Sequence, residues 1–160
     1  MTQAAVNKDA ASKACRPGAK VITLTIDGQA VQAREGQTIL EAAECAGIRI
    51  PALCHHPELP PMGACRMCIV EIERQRVPQP ACTYPAAEGL VVKTQTPSLQ
   101  QARLMNLQLL FSERSHYCMF CPSSGTVDRT DCELQKMGYD CGITSWAFPP
   151  NSGQKYAVDA

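Results

Sequence analysis

Ten cysteines in a chain of 160 residues constrain what this sequence can become more than any other feature. Eight of them fall into two groups, Cys54, Cys65, Cys68 and Cys82, then Cys118, Cys121, Cys132 and Cys141. In a reducing compartment, thiols at this density serve more often as metal ligands than as disulfides. A secreted disulfide scaffold would need a secretion signal. Residues Met1 to Lys20 instead place Asn7, Lys8, Asp9 and Lys13 where the apolar segment of such a signal belongs. Residues 1–20 are therefore expected to be a flexible tail on a chain that stays in the cytoplasm. Fifteen basic residues balance fifteen acidic ones, so no global field draws the chain to nucleic acid or anionic lipid. No apolar run approaches the roughly 20 residues of a membrane span.

Between the tail and the first cysteine group the pattern is that of a small sheet with a helix across it. Val21 to Asp27 alternates β-branched residues with Ile22, Leu24 and Ile26, the period of a strand with one buried face. Asp27-Gly28 is a tight-turn pair, and Gln29 to Ala33 can return as the second strand of a hairpin. Thr38 and Glu41 have the spacing of a capping box, and Gly47 sits where a left-handed C-terminal residue is expected. From Ala52 to Cys68 there is little periodicity and much Pro, Gly and Cys, so a long functional loop is expected. Ile69 to Glu73 reads as a strand, residues 78–82 as an irregular stretch between prolines, and Leu90 to Lys93 as a short last strand. Thr96-Pro97 then opens a helix rich in leucine, expected to be buried against the sheet or a partner. The fold class that follows is α+β.

The first group has the spacing C-x10-C-x2-C-x13-C. Four thiolates can hold a 2Fe–2S rhomb, two on each iron, and the close pair can wrap one side of it. Gly63 and Ala64 allow backbone amides to approach negatively charged sulfur. A structural zinc site is the other reading, since C-x2-C also suits tetrahedral zinc. Zinc sites usually present two close pairs, however, and here only one pair is close.

The segments Cys54-His55-His56-Pro57-Glu58-Leu59 and Gly63-Ala64-Cys65-Arg66-Met67-Cys68-Ile69-Val70-Glu71 resemble the N-terminal ferredoxin domain of the large iron–sulfur subunit of respiratory complex I. The same module occurs in the small ferredoxin-like subunit of NAD-reducing hydrogenases, in NAD-linked formate dehydrogenases and in FeFe hydrogenases. The resemblance runs from about Val21 to Gln135. It implies a β-grasp 2Fe–2S ferredoxin domain over 21–95, ligated by Cys54, Cys65, Cys68 and Cys82. It also implies a helix and a small His/Cys region over 96–147, where His116, Cys118, Cys121 and Cys132 would bind a 4Fe–4S cluster. His116 stands two residues before Cys118, a spacing similar to that of the hydrogenase diaphorase branch. Ser124 to Asp131 reads as an inserted polar loop, and Cys141 is a rival to His116 as fourth ligand. Residues 148–160 are expected to form a C-terminal arm.

The remaining candidates take structural roles. Cys15 and Cys45 are read as non-ligands, and His55 and His56 as loop-fixing side chains rather than ligands. Tyr117, Met119, Phe120 and Trp146 are expected to exclude water from the second site. The chain contains no dinucleotide fingerprint, P-loop or nucleophile elbow. The resemblance implies an electron-transfer subunit, itself without a catalytic site. It would stand between a flavin-bearing NAD(H) subunit and a catalytic hydrogenase or formate dehydrogenase subunit. A free-standing soluble ferredoxin and a zinc-stapled interaction module are the competing expectations.

Overall fold

The computed structural model describes residues 20–113 and 131–143. The chain forms two units, one ending at Leu99 and the other beginning at Gln100. His116, Cys118 and Cys121, the tail through residue 19 and the arm from 148 lie outside the described residues.

In the first unit, strand β1 (Val21–Ile26) buries alternate residues, with Ile22, Leu24 and Ile26 inside and Val21 outside. Strand β2 (Gln29–Arg34) returns antiparallel, with Ile26 opposite Gln29. Only two residues join the strands, Asp27 at φ 50° and Gly28 at φ 83°. Positive φ at both turn positions matches the right-handed twist of a hairpin, and Asp and Gly are among the residues that tolerate it. The Asp27 carboxylate also accepts hydrogen bonds from the Thr94 amide and hydroxyl, which ties the turn to the end of the last strand.

Helix α1 (Ile39–Cys45) begins at the expected capping box. The Thr38 amide donates to Glu41 Oε2 at 2.8 Å, and the Glu41 amide donates to Thr38 Oγ1 at 3.2 Å. At its other end Gly47 adopts φ 74°, and the Ile48 amide reaches back to the Ala43 carbonyl at 2.8 Å. Ile39, Leu40, Ala42 and Ala43 are buried in the same core as the inner face of the sheet.

Strands β3 (Ile69–Ile72), β4 (Gln79–Pro80) and β5 (Val91–Lys93) complete a five-stranded sheet in the order β2-β1-β5-β3-β4. β1 and β5 run parallel, and every other neighbouring pair is antiparallel. This mixed sheet with a helix on its core side is the β-grasp arrangement, so the α+β class holds. β4 corrects the sequence reading of 78–82 as irregular. Pro80 lacks an amide donor, but the edge of a sheet tolerates proline. There it pairs with Ile69 while Gln79 pairs with Val70.

Helix α2 (Pro97–Glu113) starts where Thr96 and Pro97 indicate, the Leu99 amide donating to Thr96 Oγ1 at 3.2 Å. Thr96 Oγ1 in turn donates to Glu71 on β3 at 2.9 Å. In the second unit the helix buries Arg103, Leu107 and Phe111, one residue per turn, while Met105 and Leu109 are 46% and 48% exposed. The helix is thus one-sided among the described residues. Helix α3 (Glu133–Asp140) has no counterpart among the sequence expectations. It starts after Cys132, ends at Cys141, and places Gly138 against the Phe111 ring. A Cβ at Gly138 would stand 3.3 Å from Phe111 Cε2.

Candidate metal centre

Three separate pieces of backbone deliver the first group of cysteines to one end of the sheet. Cys68 immediately precedes β3, and its carbonyl accepts the Ala81 amide at 2.9 Å. The β3–β4 ladder therefore continues one rung past the strands and brings Cys82 to Cys68. The segment carrying Cys82 is also fastened to α1. The Leu40 amide donates to the Ala81 carbonyl and the Ile39 amide to the Tyr84 carbonyl, each at 3.0 Å. Amides at a helix N-terminus lack intrahelical partners, so these bonds satisfy them while holding the loop in place.

Cys54 and Cys65 arrive on the long loop between α1 and β3. Gly63 shapes that loop at φ 65°, with its Cβ direction facing Thr83 Cγ2 at 3.3 Å and Pro80 Cγ at 3.8 Å. Glycine is needed there both for the left-handed backbone and for close approach to the Cys82 segment. Arg66, between the cysteines, holds φ 54°. A non-glycine residue in this region commonly marks a functional turn.

The four thiols associate two and two. The Cys65 amide donates to Cys54 Sγ at 3.5 Å. Burial pushes the Cys54 thiol up, but hydrogen bonds from the Cys65 amide and side chain and from the Ala64 and Cys54 amides outweigh it, leaving the thiol below its ordinary value. Burial pushes the Cys68 thiol up to about 11. A backbone hydrogen bond from Cys82 opposes that rise, while the Cys82 thiol and the charges of Cys82 and Cys54 add to it. Cys68 and Cys82 are 1% exposed, whereas Cys54 and Cys65 are half-buried. Among the described residues, no three Cys, His, Asp or Glu side chains gather as the ligands of a single ion would. A sulfur-only donor set arranged as two pairs fits a two-iron rhomb, which takes two thiolates on each iron.

The flanking histidines differ from each other. His56 is exposed, and its Nδ1 accepts the Glu58 amide at 3.2 Å, so it fixes the loop as expected. His55 has its Nδ1 buried with no hydrogen-bond partner.

Of the second group only two members are described. Cys132 is the N-cap residue of α3, without a side-chain capping bond, and Cys141 is its C-cap. Burial pushes the Cys141 thiol up, Asp140 adds to the rise, and Arg103 opposes it. The two cysteines stand at opposite ends of a helix of 8 residues. Such a helix is about 12 Å long, so the fold itself does not bring the two together. Cys45, on α1, receives a weak contact from Gln37 Nε2 at 3.9 Å.

These two cysteine-bearing units define a class of protein, an iron–sulfur protein built from a 2Fe–2S ferredoxin module followed by a 4Fe–4S module. Residues 19–97 match the 2Fe-2S iron-sulfur cluster binding domain, and residues 103–145 match the NADH-ubiquinone oxidoreductase-G iron-sulfur binding region. The chain thus belongs to the family that shares the iron–sulfur region of the complex I large iron–sulfur subunit. It is 44% identical over 117 residues to an NADH-quinone oxidoreductase subunit of Rhizobium meliloti, covering 73% of this chain and 13% of that one. It is 36% identical over 157 residues to the mitochondrial NADH-ubiquinone oxidoreductase 78 kDa subunit of Neurospora crassa, covering 98% of this chain and 20% of that one. Among solved structures, an NAD+-reducing [NiFe]-hydrogenase in the H2-reduced state matches with a TM-score of 0.76 and 39% identity. That match covers 84% of this chain and 55% of the hydrogenase chain. The present chain therefore spans a fifth or less of the length of these curated relatives.

No described helix is long and apolar enough to cross a membrane.

Proposed function

We propose that this chain is an electron-transfer subunit that relays electrons between a flavin-bearing NAD(H) subunit and a catalytic subunit of hydrogenase or formate dehydrogenase type. The observation that carries the reading is the two-and-two arrangement of Cys54 with Cys65 and Cys68 with Cys82, followed in the chain by a second iron–sulfur module. Cys54, Cys65, Cys68 and Cys82 hold the 2Fe–2S cluster in this reading, and His116, Cys118, Cys121 and Cys132 hold the 4Fe–4S cluster. Each cluster, when bound, accepts and returns a single electron.

The protein's own contribution is to set where and how readily that electron sits. Amides of Ala64 and Cys65 point at Cys54 sulfur and stabilise negative charge there. Cys68 and Cys82 lie in the dry core of the unit, beside fully buried Met67, which keeps water from that side. The half-buried Cys54–Cys65 pair faces the open side, and Leu59 and Met62 on the loop between them are 65% and 76% exposed. That edge is where a redox partner can approach most closely. Met105 and Leu109 on α2 give a second apolar surface for subunit contact. In this reading the complex works in the cytoplasm.

Anaerobic iron and acid-labile sulfide analysis with low-temperature EPR of the reduced protein tests the relay. About six irons, with one 2Fe–2S and one 4Fe–4S signal, are expected. Zinc without iron would overturn the reading, because a d¹⁰ ion carries no electron. Co-purification with flavin-containing and catalytic subunits separates a complex subunit from a free-standing ferredoxin.

A further inference from the structure

Among the described residues, His55 Nδ1 is the one buried side-chain nitrogen or oxygen without a hydrogen-bond partner. Buried polar atoms are almost always paired, and an orphan in an otherwise satisfied structure needs a specific explanation. Leaving such an atom bare costs roughly 1–3 kcal/mol, so a partner that the polypeptide does not itself supply is the economical account. His55 directly follows Cys54, and its neighbour His56 has already spent its own Nδ1 on the Glu58 amide. Glu44 on α1 attracts His55 electrostatically but forms no hydrogen bond with its Nδ1. Backbone amides of Ala64 and Cys65 are directed at the Cys54 thiol, while a 2Fe–2S rhomb brings two further anionic sulfides that need donors. The buried nitrogen beside Cys54 is suited to serve one of them.

We infer that His55 donates a hydrogen bond from Nδ1–H to a sulfur of the 2Fe–2S cluster and acts as a positioning and potential-setting residue rather than a ligand. The inference rests on the assignment of that cluster to Cys54, Cys65, Cys68 and Cys82. A donor to sulfur stabilises the more negative, reduced state, so the bond raises the reduction potential of this centre. It also holds the imidazole in the tautomer with the proton on Nδ1.

The test is pulsed EPR of the full-length, dithionite-reduced protein labelled with ¹⁵N histidine. It is recorded at a temperature where the faster-relaxing 4Fe–4S signal has broadened away. A weak ¹⁵N coupling on the 2Fe–2S signal is expected, and it disappears in His55→Phe while persisting in His56→Gln. The midpoint potential of the 2Fe–2S centre falls in His55→Phe. It recovers in His55→Asn, whose amide nitrogen occupies the place of Nδ1, and stays low in His55→Gln, whose amide occupies the place of Nε2. The Asn and Gln variants carry the test if the Phe variant loads poorly. Absence of the weak coupling, or a potential indifferent to all three substitutions, overturns the inference. So does a coupling as large as that of a direct Fe–N bond. Loss of the 2Fe–2S signal in Cys68→Ser shows separately that the ligand assignment stands. A wild-type protein without that signal, or a signal unchanged by Cys68→Ser, would sink the assignment and the inference together.

Discussion

The two cysteine-bearing units solve the same problem by different means. In the first, the Cys68 and Cys82 segments are locked by backbone hydrogen bonds that belong to the fold. Cys68 and Cys82 are joined by the rung from Ala81 to the Cys68 carbonyl, and the loop ahead of them is closed by Gly63 against Thr83. In the second, the described cysteines bracket a short helix whose Gly138 packs against the Phe111 ring of α2. A ligand set carried on a hydrogen-bonded ladder is preorganised before metal arrives. Cys54, within the ladder-held loop, is drawn toward the thiolate that binds iron, whereas Cys141 is pushed away from it. The pKa directions divide within the first site as well, since burial pushes Cys68 up to about 11.

Ligand substitutions should produce the largest effects and are the most direct way to break the comparison. Cys82→Ser is expected to abolish the 2Fe–2S EPR signal and leave the 4Fe–4S signal in place. Cys132→Ser should remove about four of about six irons and spare the 2Fe–2S signal. Cys141→Ser should leave iron content unchanged, and loss of about four irons in that variant would make Cys141 the ligand in place of His116. Next in size is the core beneath the first site. Leu24, 1% exposed, should cost about 2–5 kcal/mol of unfolding free energy when replaced by alanine, measured by denaturant titration. The first unit should carry that loss while the second keeps its cluster.

Gly63→Ala puts a side chain at φ 65° and against Thr83, with an expected cost of about 1–2 kcal/mol from the left-handed backbone alone. Reconstitution with iron and sulfide should slow for the 2Fe–2S site only. Equal slowing at both sites would mean that the two are not preorganised independently. Thr38→Ala removes the capping box of α1, worth about 1 kcal/mol, and should appear as a modest fall in Tm with cluster content intact.

A further test concerns pH in the metal-free chain. The Cys68 thiol is pushed up to about 11 in the folded state, above the roughly 8.5 of an unfolded cysteine. The stability linked to the neutral thiol is fully present below the unfolded value and is lost as pH rises through about 11. The metal-free first unit should therefore weaken between these limits. At mildly alkaline pH, alkylation mapped by mass spectrometry should modify Cys54 well before Cys68 or Cys141. Uniform labelling would contradict the asymmetry within the first group.

Much of the first unit is legible from local chemistry. The alternation in Val21 to Asp27, the Asp27-Gly28 turn, the Thr38–Glu41 box and the Gly47 terminus each depend on a few neighbouring residues, and each is found as expected. Strand β4 is not legible, because two residues carrying a proline have no strand signal of their own, and only pairing with Ile69 and Val70 makes them one. Helix α3 is short and its apolar residues are few, so its signals lie at its ends. They are the first-turn Glu133 and Gly142 at φ 69° just past its last turn. The one-sided burial of α2 is also hidden, since its leucines occupy exposed as well as buried positions.

The sequence by itself determined the donor chemistry of both cysteine groups and, β4 apart, the order of elements around the first. It did so because thiol identity, spacing and turn residues act over short stretches of chain. Only the tertiary structure decided which thiols pair, which pair faces the open side, and that His55 buries an unpartnered nitrogen beside Cys54. Those features arise from contacts between residues far apart in the chain. The β3–β4 ladder and the bonds from the α1 N-terminus to the Ala81 and Tyr84 carbonyls hold the Cys68–Cys82 pair in place, and neither can be read from any single segment.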